Sequence, residues 1–209
     1  MKNIVILTTY ILSSCGMPKG AQEDSGVSGQ HQNERGTVEY QSSYQDSGDI
    51  KVQLTINSDK KIDATLSPYT GLKSLDGNDS ALVYEEIQLL KSSIAEMEKL
   101  EDHPTKDALL LLSEYISEVP EGYPIGRSQY DMDMSLSHAG IQCSSDSASN
   151  SCENRCGMGC GSEPTGWTKD CLSLDRCKLS AVGQGGACGE AWQRSADDWM
   201  MSKQLGCHI

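Results

Sequence analysis

The chain has 209 residues, 9 of them cysteine and none phenylalanine, and carries a formal net charge of −13. With a pI near 4.6 and no basic stripe or aromatic–basic interleaving, it has no electrostatic footprint for nucleic acid. The same acidity disfavours docking to anionic lipid headgroups, so any membrane association has to come from something other than charge.

Lys2 gives a small positive start, and Ile4-Val5-Ile6-Leu7 to Ile11-Leu12 give a short apolar run. Spanning a bilayer takes about 20 apolar residues, so this run reads as a signal peptide. It closes Leu12-Ser13-Ser14-Cys15-Gly16, which resembles a bacterial lipoprotein box. The resemblance implies cleavage after residue 14 and acylation of Cys15; the competing reading is an ordinary secretory peptide with an incidental cysteine. Acyl chains contribute about 0.8 kcal/mol per buried methylene, so several on one residue make a stable anchor. Gly16 rather than an acid after the cysteine implies the outer membrane of a Gram-negative host, with the body facing the periplasm or the surface.

Residues 15–36 are expected to be the lipidated cysteine and a flexible tether. Their Gly, Ser, Gln, Glu and Asp bury too little to offset ordering entropy. His31 within them is expected to be solvated and inert. Residues 37–142 read as an α+β domain. Ile50, Val52, Leu54 and Ile56 alternate with polar residues, and after Asn57-Ser58-Asp59-Lys60 the alternation resumes at Ile62, Ala64 and Leu66, a hairpin with one buried face. Val38 and Tyr40 suggest a further strand over 37–44.

A small sheet needs a cover. Val83, Ile87, Leu90, Ile94 and Met97 form a helical stripe, with Asp79 or Ser80 as cap. After the break at Glu101-Asp102-His103-Pro104, a second helix over 105–118 is apolar nearly all round. The two make a helical hairpin on the sheet. Because the stripe serves the intramolecular core, no oligomer is expected. His103 is expected at the surface. Asp131-Met132-Asp133-Met134 suits a strand edge or an irregular arm equally.

Residues 143–209 form the remaining segment. With Cys15 lipidated, the other eight cysteines, Cys143, Cys152, Cys156, Cys160, Cys171, Cys177, Cys188 and Cys207, are clustered there. In an exported chain they read as a disulfide framework, with about 105 possible pairings. The alternative is a thiolate metal site built on the Cys152, Cys156 and Cys160 spacing. Two helices are expected: one from Cys171 to Cys177, and one opened by the stretch Gly185 to Trp192 and running to about Leu205, whose Trp192, Ala196 and Trp199 would face the partner helix.

The order Cys156-Gly157-Met158-Gly159-Cys160-Gly161, followed by Cys171-Leu172-Ser173-Leu174-Asp175-Arg176-Cys177, places bare backbone ahead of a helix bearing one carboxylate. That combination suits a hard cation held by carbonyls and an aspartate; a tight disulfide knot, with Asp175 paired to solvent or a neighbouring lysine or arginine, suits it equally. Loop and helix resemble secreted phospholipase A2. The resemblance implies a disulfide-rich two-helix module, a Cys177–Cys188 bridge, and calcium held by Asp175 and the Cys156, Gly157, Gly159 and Gly161 backbone. It also puts Leu174 where the family keeps its catalytic histidine. Leucine cannot take a proton, and such a base is worth about 10² to 10⁴-fold in rate. The family's second aspartate follows a cysteine where this chain has Gly189, with Glu190, Asp197 and Asp198 near but out of register.

The expectation is therefore a membrane-anchored lipoprotein whose module is degenerate and binds calcium, lipid or a partner protein. Its rivals are an active calcium-dependent esterase recruiting another base, His138 or His208, and a purely structural or inhibitory disulfide-rich protein.

Overall fold

A computed structural model describes residues 26–67, 71–129, 156, 169–180, 186–196 and 199. Within them the chain is α+β. Six strands, β1 (Val27–Asn33), β2 (Gly36–Tyr44), β3 (Ile50–Ile56), β4 (Lys60–Ser67), β5 (Gly71–Ala81) and β6 (Pro124–Gln129), form one sheet in the order β1-β2-β3-β4-β5-β6. Every neighbouring pair is antiparallel. The period-two pattern decides which face is inward. Val38 and Tyr40 on β2, Ile50, Val52, Leu54 and Ile56 on β3, and Ile62, Ala64 and Leu66 on β4 are buried, while the residues between them are not. The other face remains polar, as expected of an antiparallel sheet covered on one side.

The cover begins with α1 (Tyr84–Met97) and α2 (Lys106–Ser117), which pack on β1, β2 and β3. The apolar stripe of α1 is inward as its spacing requires, with Ile87, Leu90, Ile94 and Met97 buried. Its start differs from expectation. The cap is Val83, whose N–H donates to Glu86 Oε2 at 2.9 Å. Asp79 and Ser80 belong instead to β5, where Asn78 and Asp79 take left-handed backbone angles in a bulge between Asp76 and Ser80. Glu86 in turn holds the ammonium of Lys60, which also donates to Ala81 O at 2.8 Å. On α2, Leu109, Leu112, Tyr115 and Ile116 are buried, whereas Leu110 and Leu111 are only partly covered.

The tether expected through residue 36 is corrected over its last part. Residues 27–33 are strand β1, paired residue by residue with β2 from Val27↔Ser42 to Asn33↔Gly36. An edge strand draws its stability from backbone hydrogen bonds to its neighbour and needs little apolar stripe; here Val27 alone is hydrophobic and buried. Gly29 is the position where a side chain would fail. A Cβ there would lie 2.6 Å from the Tyr40 hydroxyl, because the Tyr40 ring folds across the glycine from the paired position on β2.

His31 is correspondingly not a solvated tether residue. Its Nε2 is 3.1 Å from Ser92 Oγ on α1, and Asn33 Nδ2 donates to the same oxygen at 2.9 Å. His103 is part-buried as well, with Nδ1 accepting from Thr105 N at 3.2 Å. Thr105 Oγ1 accepts from Ser42 Oγ on β2 at 2.8 Å, so a polar seam runs along this side of the helix–sheet interface.

The C-terminal part contributes α3 (Lys169–Ser180) and α4 (Gly189–Arg194). They do not form a separate core. Cys171, Leu174, Cys188, Trp192, Ala196 and Trp199 belong to the same buried cluster as Tyr115, Leu112 and the inward residues of the sheet.

Candidate functional site

The candidate site is the face of α3 and α4 that meets the rest of the molecule. On α3, Cys171, Leu172 and Leu174 are buried, Asp175 is half-buried, and Ser173 and Arg176 face solvent. A disulfide joins Cys156 to Cys171, with Cα atoms 5.4 Å apart, tying the upstream segment to the first turn of α3. A second joins Cys177 to Cys188 at 5.7 Å, tying the last turn of α3 to the residue that precedes α4. This is the pairing the phospholipase resemblance implied.

Leu174 is 2 % exposed. The position expected for a proton acceptor is therefore filled by packed aliphatic carbon. The position expected for the orienting aspartate is closed in a different way. At Gly189 a Cβ would stand 1.8 Å from the Tyr123 ring, so the ring lies against the bare backbone at the start of α4. Tyr123 also stands edge-on to Trp192, with centroids 6.0 Å apart, and its hydroxyl donates to Gln193 Oε1 at 3.0 Å. Gln193 Nε2 reaches on to Ser128 Oγ of β6 at 3.1 Å.

Trp192 and Tyr115 form the centre of the contact. Their rings stack with centroids 4.6 Å apart and planes 11° off parallel. The phenol donates to Trp192 O at 3.1 Å, and the indole N–H donates to Tyr115 O at 3.0 Å, so each buried polar tip bonds the other residue's backbone. Trp199 meets Tyr115 edge-on at 5.9 Å. Both tryptophans thus meet Tyr115 of α2, Trp192 stacked and Trp199 edge-on, where the sequence pattern predicts a contact with α3. Tyr115 is a core position by its place on α2, but nothing in the sequence names its partner some 77 residues downstream.

A charged clamp flanks the aromatic contact. Glu118, at the C-cap of α2, pairs with Lys91 of α1 at 2.9 Å and with Lys178 of α3. A carboxylate at a helix C-terminus opposes the helix dipole, and the two ammonium groups offset that cost. Burial pushes the Glu118 carboxyl upward, but the charges of Lys178 and Lys91 outweigh it and hold the group below its ordinary range.

Glu190, one of the acids near but out of register, is exposed and sits 4.0 Å from Arg194 on its own helix. Gly157, Gly159, Gly161, Asp197, Asp198, His138, His208, Cys15, Cys143, Cys152, Cys160 and Cys207 lie outside the described residues. A second constellation, His31 with Ser92 and Asn33, has the residue types of a nucleophilic pair. However, Ser92 Oγ donates to Leu89 O at 2.7 Å, so its proton is committed to the helix backbone and the group serves as a polar tie between β1 and α1.

An antiparallel sheet and a disulfide-clamped helix pair sharing one core define the class of protein. A family model described as a domain of unknown function (DUF8213) matches residues 134–209, a span that starts slightly ahead of Cys143 and contains α3 and α4. No curated protein and no solved structure matches the chain.

Proposed function

We propose that this chain is an exported lipoprotein, anchored through Cys15, whose C-terminal part is a phospholipase A2-like module used for binding rather than catalysis. The observation that carries the reading is that both positions of the expected catalytic dyad serve packing: Leu174 is buried, and Gly189 is covered by the Tyr123 ring. Restoring only a histidine would leave no room for the carboxylate that must orient it.

Calcium would be held by Asp175 together with carbonyls of Cys156, Gly157, Gly159 and Gly161, a donor set that suits a hard cation. When bound, the ion would lend positive charge to a lipid phosphate or an acidic partner at that loop. Asp175 is half-buried beside the packed face of α3, where it supplies a carboxylate without disturbing the core.

The test is thermal melting of the full chain with and without calcium, beside a fatty-acid release assay on mixed phospholipid vesicles. Calcium should raise the melting temperature of the wild type and leave Asp175→Asn unmoved, with no fatty acid released by either. Calcium-dependent hydrolysis by the wild type, lost in Asp175→Asn, would overturn the binding reading in favour of catalysis. Membrane fractionation of Cys15→Ala tests the anchor: the variant should leave the membrane fraction.

A further inference from the structure

We infer that the outer edge of β1 is a self-association surface, at which two copies of this chain pair β1 to β1 in antiparallel register. The inference is independent of calcium and of the anchor. Strand pairing alternates, so each residue of a strand directs its backbone N–H and C=O to one neighbour only. Asn57 N donates to Thr37 O at 2.9 Å, which assigns the odd residues of β2 to β3 and its even residues, Gly36 to Ser42, to β1. Their partners on β1 are Asn33, His31, Gly29 and Val27. The backbone groups of Ser28, Gln30 and Gln32 therefore point away from the sheet, and among the described residues no strand pairs with them.

The strand carries no guard of its own. Val27-Ser28-Gly29-Gln30-His31-Gln32-Asn33 contains no proline, lysine, arginine, aspartate or glutamate, the devices by which edge strands are normally protected. The opposite edge, β6, opens on Pro124, carries Arg127, and is tied through Ser128 to Gln193 of α4.

The second copy is the occupant that the sequence of β1 fits. Antiparallel pairing about Gln30 sets Gln30 against itself, Ser28 against Gln32, and Gly29 against His31. Every outward-pointing backbone pair is then a hydrogen-bonded pair, and no two acidic groups face each other across the seam. For a chain of net charge −13, a neutral strand of this length is where two copies meet with least repulsion. A single strand pair is a small interface, so the association is weak in dilute solution. It would strengthen wherever copies are held close together.

The test is amide hydrogen exchange on the full chain as a function of its own concentration, with the mass followed by sedimentation. Exchange at Ser28, Gln30 and Gln32 should slow roughly tenfold or more as the mass doubles, while Gly29 and His31 stay protected throughout. Gln30→Pro removes one outward N–H, which a sheet edge tolerates, and should abolish the concentration dependence while keeping the sheet. If that variant fails to fold, Gln30→Lys sets two like charges opposite each other and should weaken the pairing instead. Exchange at these three amides that is independent of concentration, whether fast or slow, overturns the inference; the slow outcome would mean that another part of the same chain covers the edge.

Discussion

Gly189 is the residue whose identity the packing constrains most tightly. A methyl group at that position would fall inside the Tyr123 ring, so Gly189→Ala should displace the ring, break its bond to Gln193 and loosen α4 from β6. We expect destabilisation of about 1–3 kcal/mol, the usual cost of overpacking, read as a lowered midpoint in urea. Leu174→Ala acts in the opposite sense, leaving a hole where a buried side chain stood, and should cost about 2–5 kcal/mol. Both should leave β1–β4 intact, which far-UV circular dichroism checks. These losses have a common origin: both positions hold the helices against the rest of the molecule. Leu174 is legible in the sequence as an apolar position of a cysteine-flanked helix, and the structure buries it. The role of Gly189 is not legible in the sequence, because nothing local to it names Tyr123 as the ring that needs the space.

At the level of elements, α4 is tied to α3 by the Cys177–Cys188 disulfide and to α2 by the Tyr115–Trp192 contact. Cys177 and Cys188 are separated by 11 residues in sequence, so the bridge removes the entropy of a short loop. Replacing both cysteines by serine should cost about 2–3 kcal/mol, slightly less than the loop-entropy figure for 15 residues. Tyr115→Phe keeps the stack and removes one donor to the Trp192 carbonyl, which still accepts from Ser195 N and Oγ, at about 0.5–1.5 kcal/mol. A double-variant cycle should show coupling, since both devices hold α4 and Trp192 N donates to Cys188 O at 2.9 Å. Regular alternation made β3 and β4 readable before any coordinates, and the spacing of Ile87, Leu90 and Ile94 did the same for α1. β5 and β6 were not readable. The bulge through Gly77, Asn78 and Asp79 breaks the alternation of β5, and β6 offers a single buried apolar side chain, Ile125. β1 was mistaken for tether for a related reason: its order comes from pairing with β2, which composition does not report.

Across the whole molecule, the Glu118 clamp makes attachment of α3 sensitive to acid. Glu118 is faced by Lys91 from α1 and Lys178 from α3, and these ammonium groups hold its carboxyl below the ordinary range despite burial. A carboxylate depressed in the folded state binds fewer protons there than in the unfolded chain. Its contribution is fully present above the unfolded-state value of about 4.3 and is lost as pH falls through the lower folded value. Above pH 5 or so, stability should therefore be flat with respect to this group; below it, α3 should loosen first, since it is joined to α2 through Lys178. Trp192 reports the event directly, because its ring lies on Tyr115 one turn before Glu118. Acid titration followed by tryptophan emission should show a shift below about pH 4 that precedes loss of the sheet signal in circular dichroism. Glu118→Gln should be less stable at neutral pH, having lost the charge that its two lysines answer, and should show a shallower acid limb. An unchanged acid limb in that variant would mean that the sensitivity resides in other carboxylates and that the clamp is incidental to how the two parts of the chain are joined.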